Sequence, residues 1–176
     1  IVQPLNPMLT DEKIAAMMQL ARAKVLIAYG GEGDLGYWSK ALRLRALVPT
    51  LTTVLRVAPH DEAAGATTAL PAGVVDLAAR HQHPGDHLVS GRRIAASDIA
   101  AYFHTGGTTG APKLARHSHG AQVFTAWGSV QMQGIRPEDV GINGYPLFHV
   151  AGVLPGSLAA LSAGVQTIIP TTGLFR

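Results

Sequence analysis

Apolar positions along this chain change their spacing from segment to segment, and each spacing predicts a different element. Ile14, Met17, Met18 and Ala21 recur at i, i+3, i+4 and i+7, the stripe of an amphipathic helix. Thr10 suits its N-cap, and Asp11 and Glu12 its first turn, where carboxylates complement the helix dipole. Residues 24–29 form a run that is continuously apolar after Lys24, as a buried parallel strand requires. A helix over 35–45, with Leu35, Trp38 and Leu42 on one face, and a strand over 52–57 follow. Residues 59–93 are rich in Pro, Gly, His and Ala and read as an irregular surface excursion with one short helix near 74–79. The run 99–103 predicts a strand entering a Gly- and Thr-rich loop, and 114–117 a second strand leaving it. Helices over 120–132 and 149–163 flank a strand over 140–145, and 165–169 adds one more. This β-α-β rhythm predicts an α/β fold, a mostly parallel doubly wound sheet flanked by helices, with ligands gathering at the carboxyl ends of the strands.

Composition narrows the class. The 176 residues have the length of one domain; 47% are hydrophobic and 14% charged, which suits a packed interior. The net charge of +3 is small and its basic residues scattered, so nucleic acid is not an expected partner. The chain has no cysteine, which removes disulfides and thiolate metal sites and fits the cytoplasm. Residues 150–169 carry no charge, yet Gly152, Pro155, Gly156, Ser157, Ser162, Gly164 and Gln166 break the run. It reads as a buried helix and strand, not a membrane span.

The most informative stretch is Thr105-Gly106-Gly107-Thr108-Thr109-Gly110-Ala111-Pro112-Lys113. Glycines let backbone amides turn inward, three threonine hydroxyls add donors or a metal contact, and Lys113 supplies a point charge for phosphate oxygens. The common nucleotide P-loop needs Gly-Lys-Ser/Thr in a row, whereas Ala111 and Pro112 intervene here. The stretch resembles the phosphate-binding signature of adenylate-forming enzymes (acyl-CoA synthetases, luciferases and peptide-synthetase adenylation domains), departing from the usual pattern only at Gly106. Asn6 to Ile14 resembles the Asn-Pro segment and helix start that precede that loop, and Pro146-Leu147-Phe148-His149-Val150-Ala151-Gly152 the motif that follows it. The wording Tyr102 to Gly107 is similar to the fatty acyl-CoA synthetase branch.

The resemblance implies that residues 1–176 are part of a large N-terminal AMP-binding domain truncated at both ends, inactive alone. It implies that the full-length parent couples a carboxylic, most nearly a fatty, acid to coenzyme A through an acyl-adenylate, with ATP and Mg2+. Lys113 and His149 are the implied catalytic residues. Thr105, Gly106, Gly107, Thr108, Thr109, Gly110 and Lys113 would hold the phosphates, Thr105 the metal, and Phe148 and His149 the acid. Partners would be small molecules, with a homo-oligomer compatible.

Two readings from other classes compete. A phosphate-binding module without catalysis would keep the loop and lose the chemistry. Gly31-Glu32-Gly33-Asp34-Leu35-Gly36, with Asp61 downstream, has the formal spacing of a dinucleotide fingerprint and would mark an NAD-dependent oxidoreductase. Glu32 and Asp34 place two carboxylates where a pyrophosphate must approach, and Asp34 reads better as the N-cap of the next helix. His81, His83, Asp86 and His87, and separately His117 with His119 sharing a strand face, have zinc-compatible spacing; they read as incidental.

Overall fold

A computed structural model describes residues 1–31, 36–60, 70–78, 88, 90–105 and 112–170. These fall into two compact units, one of Pro7–Arg92 and one of Ile1–Asn6 with Arg93–Arg176.

In the Pro7–Arg92 unit, helix α1 (Asp11–Leu20) starts as its sequence predicts. The Thr10 hydroxyl accepts the Lys13 amide at 3.4 Å. Its stripe buries Ile14, Met17 and Met18, each no more than 3% exposed, against helix α2 (Tyr37–Leu47). Each such side chain contributes roughly 1.5–3 kcal/mol. Helix α2 begins later than expected. Its N-cap is Gly36 at φ 56°, in the left-handed region, and not Asp34. Its buried positions are Ala41 and Leu44, followed by Val48 just past its end, with Trp38 and Leu42 half-buried beside them.

Strands β1 (Val25–Tyr29), β2 (Thr53–Val57) and β3 (Val74–Asp76) form a parallel sheet in that order. Two expectations change here. The segment near residue 74 is a strand because Val74 and Val75 are β-branched and find an open, parallel partner in β2, which local helix propensity cannot outweigh. Strand β1 is covered on one face only. Leu26 and Ala28 are half-buried, while Val25, Ile27 and Tyr29 stand exposed.

In the second unit, β4 (Ile99–His104) and β5 (Leu114–Ser118) pair antiparallel, and Val2 adds a parallel bridge to Ala101. They are antiparallel because the connection is short, whereas a parallel return needs a dozen or more residues. Helix α3 (His119–Gln133) is capped by the Ser118 hydroxyl, which accepts the Ala121 amide, and ends at Gly134 with φ 63°. Strand β6 (Val140–Ile142) pairs parallel with β7 (Gln166–Ile168). The helix between them is α4 (Val150–Val153), a π-helical turn (Leu154–Leu158) and α5 (Ala159–Ala163). Leu154, Ala159 and Ala160 are its buried side. The expected strand to 145 stops at Ile142, because the Asn143 side chain folds back on the following backbone. Among the described helices, none is long and apolar enough to cross a membrane.

Candidate functional site

The residues singled out by sequence fall on two features of the second unit. The first is the neck of the β4–β5 hairpin. Alternation along β4 buries Ala101 and Phe103, so the strand is anchored where the loop leaves it. The register pairs Phe103 with Ala115 and His104 with Leu114. One step further, the Thr105 amide donates to the Lys113 carbonyl at 3.0 Å. Residues directly opposite in an antiparallel ladder project to the same side, so the Thr105 hydroxyl and the Lys113 ammonium leave the neck together. Both residues are exposed. Among the described residues, the Thr105 hydroxyl makes one long 3.5 Å contact, also to the Lys113 carbonyl. Gly106, Gly107, Thr108, Thr109 and Gly110 lie outside the described residues.

The second feature is the start of α4. His149 is its N-cap, and the ring nitrogen Nδ1 accepts the Ala151 amide at 3.1 Å. A neutral imidazole with Nδ1 accepting carries its proton on Nε2. His149 is exposed, and among the described residues this second nitrogen has no hydrogen-bond partner. Three backbone bonds fix the residue: its amide donates to the Pro146 carbonyl at 2.9 Å, and its carbonyl accepts the Gly152 amide at 3.0 Å and the Val153 amide at 3.2 Å. Phe148, immediately before it, is half-buried. Strand β6 stops at Ile142, and a short loop carries the chain to the helix cap at His149. No hydrogen bond or ion pair links the two features among the described residues.

The other candidates separate. Of the glycine-rich stretch 31–36, residues 32–35 lie outside the described residues, as do His81, His83, Asp86 and His87. His117 and His119 do not share a strand face. His117 ends in an edge-on contact with Phe103, ring centroids 5.0 Å apart, while His119 opens α3. Ser118 is needed as the helix cap, and the backbone changes geometry between the two histidines.

Sequence reasoning missed two polar groups. Asn143 is buried, 3% exposed; its signal was an Asn between a strand and a Pro-containing loop. Arg56, 6% exposed, sits in the middle of β2. Its guanidinium meets Asp76 Oδ2 at 3.2 Å and the Gly30 carbonyl at 3.5 Å. A charge inside an apolar strand pattern was the available sign. The clearest electrostatic shift lies at the α1–α2 contact. Arg43 donates to Asp11 at 2.6 Å, with Lys40 at 3.7 Å. The bond from Arg43, aided by the charges of Arg43 and Lys40, holds the Asp11 carboxyl below its ordinary value.

Over its whole length the chain is 28% identical to the marinolic acid–CoA ligase of a Pseudoalteromonas species, covering 26% of that protein. Over 72% of its length it is 34% identical to human long-chain fatty acid transport protein 3, covering 19% of it. The chain thus spans about a quarter or less of these relatives. Its fold matches the anthranilate CoA ligase AuaEII solved with anthranoyl-AMP, at TM-score 0.76 and 20% identity, over 98% of this chain and 31% of that one. It also matches ATP-bound MatB from Rhodopseudomonas palustris, at TM-score 0.66 and 24% identity, over 98% of this chain and 30% of that one. The family described as "AMP-binding enzyme" matches residues 1–175, and the chain belongs to that family.

Proposed function

We propose that the protein containing this chain activates a carboxylic acid with ATP and transfers the acyl group to coenzyme A. A carboxylate oxygen bonds to the α-phosphorus, the bond to the β-phosphate bridging oxygen breaks, and pyrophosphate leaves. The coenzyme A sulfur then attacks the acyl carbonyl, AMP departs with the electron pair of the broken bond, and the thiol proton passes to solvent. The first step brings two anions together, so catalysis rests on positioning and charge stabilisation.

One observation carries the reading: Thr105 and Lys113 leave the hairpin neck on the same side, in a chain of the AMP-binding family. The Lys113 ammonium would offset charge on the β- and γ-phosphates, with Thr108 and Thr109 and the amides of Gly106, Gly107 and Gly110 as further donors. The Thr105 hydroxyl is exposed and only weakly engaged. An oxygen donor of that kind fits Mg2+, which when bound would neutralise phosphate charge. His149 would offer its Nε2–H to the acid, and Phe148 its apolar ring to the acyl chain. A fatty acid is the proposed substrate class, supported by the motif wording around Tyr102 and by the similarity to a fatty acid transport protein. The cytoplasm is the proposed location. The dinucleotide reading of Gly31 to Gly36 has no comparable support.

The test is acid-dependent exchange of labelled pyrophosphate into ATP by the complete protein, across fatty and aryl acids. Exchange that rises with a fatty acid is expected. No exchange with any acid overturns the reading.

A further inference from the structure

We propose that Asn143 is a positioning residue for His149, clamping both ends of the segment that carries it. The side-chain amide of Asn143 lies at the carboxyl end of β6, almost wholly buried. Its Oδ1 accepts the Tyr145 amide at 3.2 Å, where the loop begins. Its Nδ2 donates to the Gly152 carbonyl and to the Ser157 hydroxyl, each at 2.9 Å, where the loop has become helix. Ser157 in turn donates to the same Gly152 carbonyl at 2.9 Å. One planar amide therefore spans residues 145 to 157, and His149 is held inside that span by its own bonds to Pro146 and Gly152.

Two glycines make the clamp possible. A Cβ on Gly152 would collide with the Pro146 carbonyl, and one on Gly156 would collide with the Asn143 amide itself. The π-helical turn belongs to the same device. Pro155 has no amide hydrogen to give to the Ala151 carbonyl, so the helix cannot continue regularly there. The wider turn keeps Ser157 within reach of Asn143. A carboxylate-facing imidazole needs its position fixed to within a fraction of an ångström to matter in a reaction. Here that position is set by a group that meets no substrate.

The kinetic part of this proposal rests on the acyl-adenylate reading; the spectroscopic part does not. In the complete protein, Asn143→Ala is expected to raise KM for the acid on the order of tenfold or more. KM for ATP should stay within about twofold, because the hairpin neck is untouched. Asn143→Asp keeps the acceptor for Tyr145 but sets an anion against the Gly152 carbonyl. Its deficit should shrink as pH falls and the carboxyl regains a proton to donate. If Asn143→Ala does not fold, Ser157→Ala, which removes one partner only, should still raise the acid KM by about threefold. In 15N-resolved NMR the His149 ring should be the Nε2–H tautomer, and should lose that preference in Asn143→Ala. An unchanged tautomer, or an equal rise in both KM values, overturns the role of Asn143. Absence of acid-dependent exchange in the unaltered protein overturns the functional reading instead, and leaves the tautomer measurement to decide on Asn143.

Discussion

Among the described residues no carboxylate pairs with Lys113, and its charge projects from a neck whose backbone is closed by the Thr105 amide. A cation kept unpaired at a rigid edge is suited to a polyanion. Lys113→Ala should therefore slow adenylate formation about 100-fold, the scale of removing one preorganised donor, as measured by pyrophosphate exchange. Lys113→Arg should recover only part of this, since a planar fork replaces a compact charge. A rate within twofold of the unaltered protein for Lys113→Ala, on the scale of that expected loss, would remove the residue from the mechanism. The two strands of the neck were legible in the sequence because apolar residues mark each side of the nine-residue motif, but their antiparallel pairing was not. Asn143 was not legible in the same way. A buried amide reveals itself only through partners at 145, 152 and 157, and which of those come together depends on where the π-turn falls.

At the level of elements, three of the helices carry a side-chain start signal, whereas α2 opens at Gly36 without one. Thr10 and Ser118 cap α1 and α3 through their hydroxyls, and His149 caps α4 through its ring. Strand β3 was not readable, since three residues beside an irregular stretch become a strand only when an open neighbour recruits them. That recruitment depends on Arg56 and Asp76, which tie β2 to β3 beside the Gly30 carbonyl. Removing one partner of a mostly buried pair strands the other, so Arg56→Ala should cost about 2–4 kcal/mol in denaturant unfolding. Arg56→Met, which keeps the stem and removes the charge, should cost less when combined with Asp76→Asn than when made alone. Equal costs would mean that the pair adds nothing beyond packing.

A different pair contributes to the acid response of the Pro7–Arg92 unit. The Asp11 carboxyl is held below its ordinary value by Arg43. A depressed carboxylate contributes stability that is fully present above the unfolded-state value and is lost as pH falls through the folded one. The contribution therefore persists at neutral pH and fades below about pH 4. In Asp11→Asn, acid unfolding followed by circular dichroism should show a shallower slope in that window, by no more than one proton. An unchanged slope would place Asp11 outside the acid transition.

For the molecule as a whole, much apolar surface stays open. Val123, Phe124 and Trp127 on α3 are exposed, as are Leu161 on α5 and Ile168 on β7. Surface of this kind and extent associates. The isolated chain should bind a hydrophobic dye and sediment as a concentration-dependent mixture, whereas Trp127→Ser with Phe124→Ser should shift it towards the monomer. Sedimentation velocity at several concentrations measures this, and a single monomeric species throughout would contradict it.

The widened turn at Leu154–Leu158 has one more consequence. A π-turn is equivalent to one extra residue inside an α-helix, absorbed locally so that the flanking turns keep their phase. Deleting Gly156 would remove that extra residue while Pro155 still left the Ala151 carbonyl without its helical partner. Ala159 and Ala160 would keep facing the interior, but the turn that carries Ser157 to Asn143 would be gone. The helix itself would thus absorb the change in length, and the loss would fall on the loop it holds.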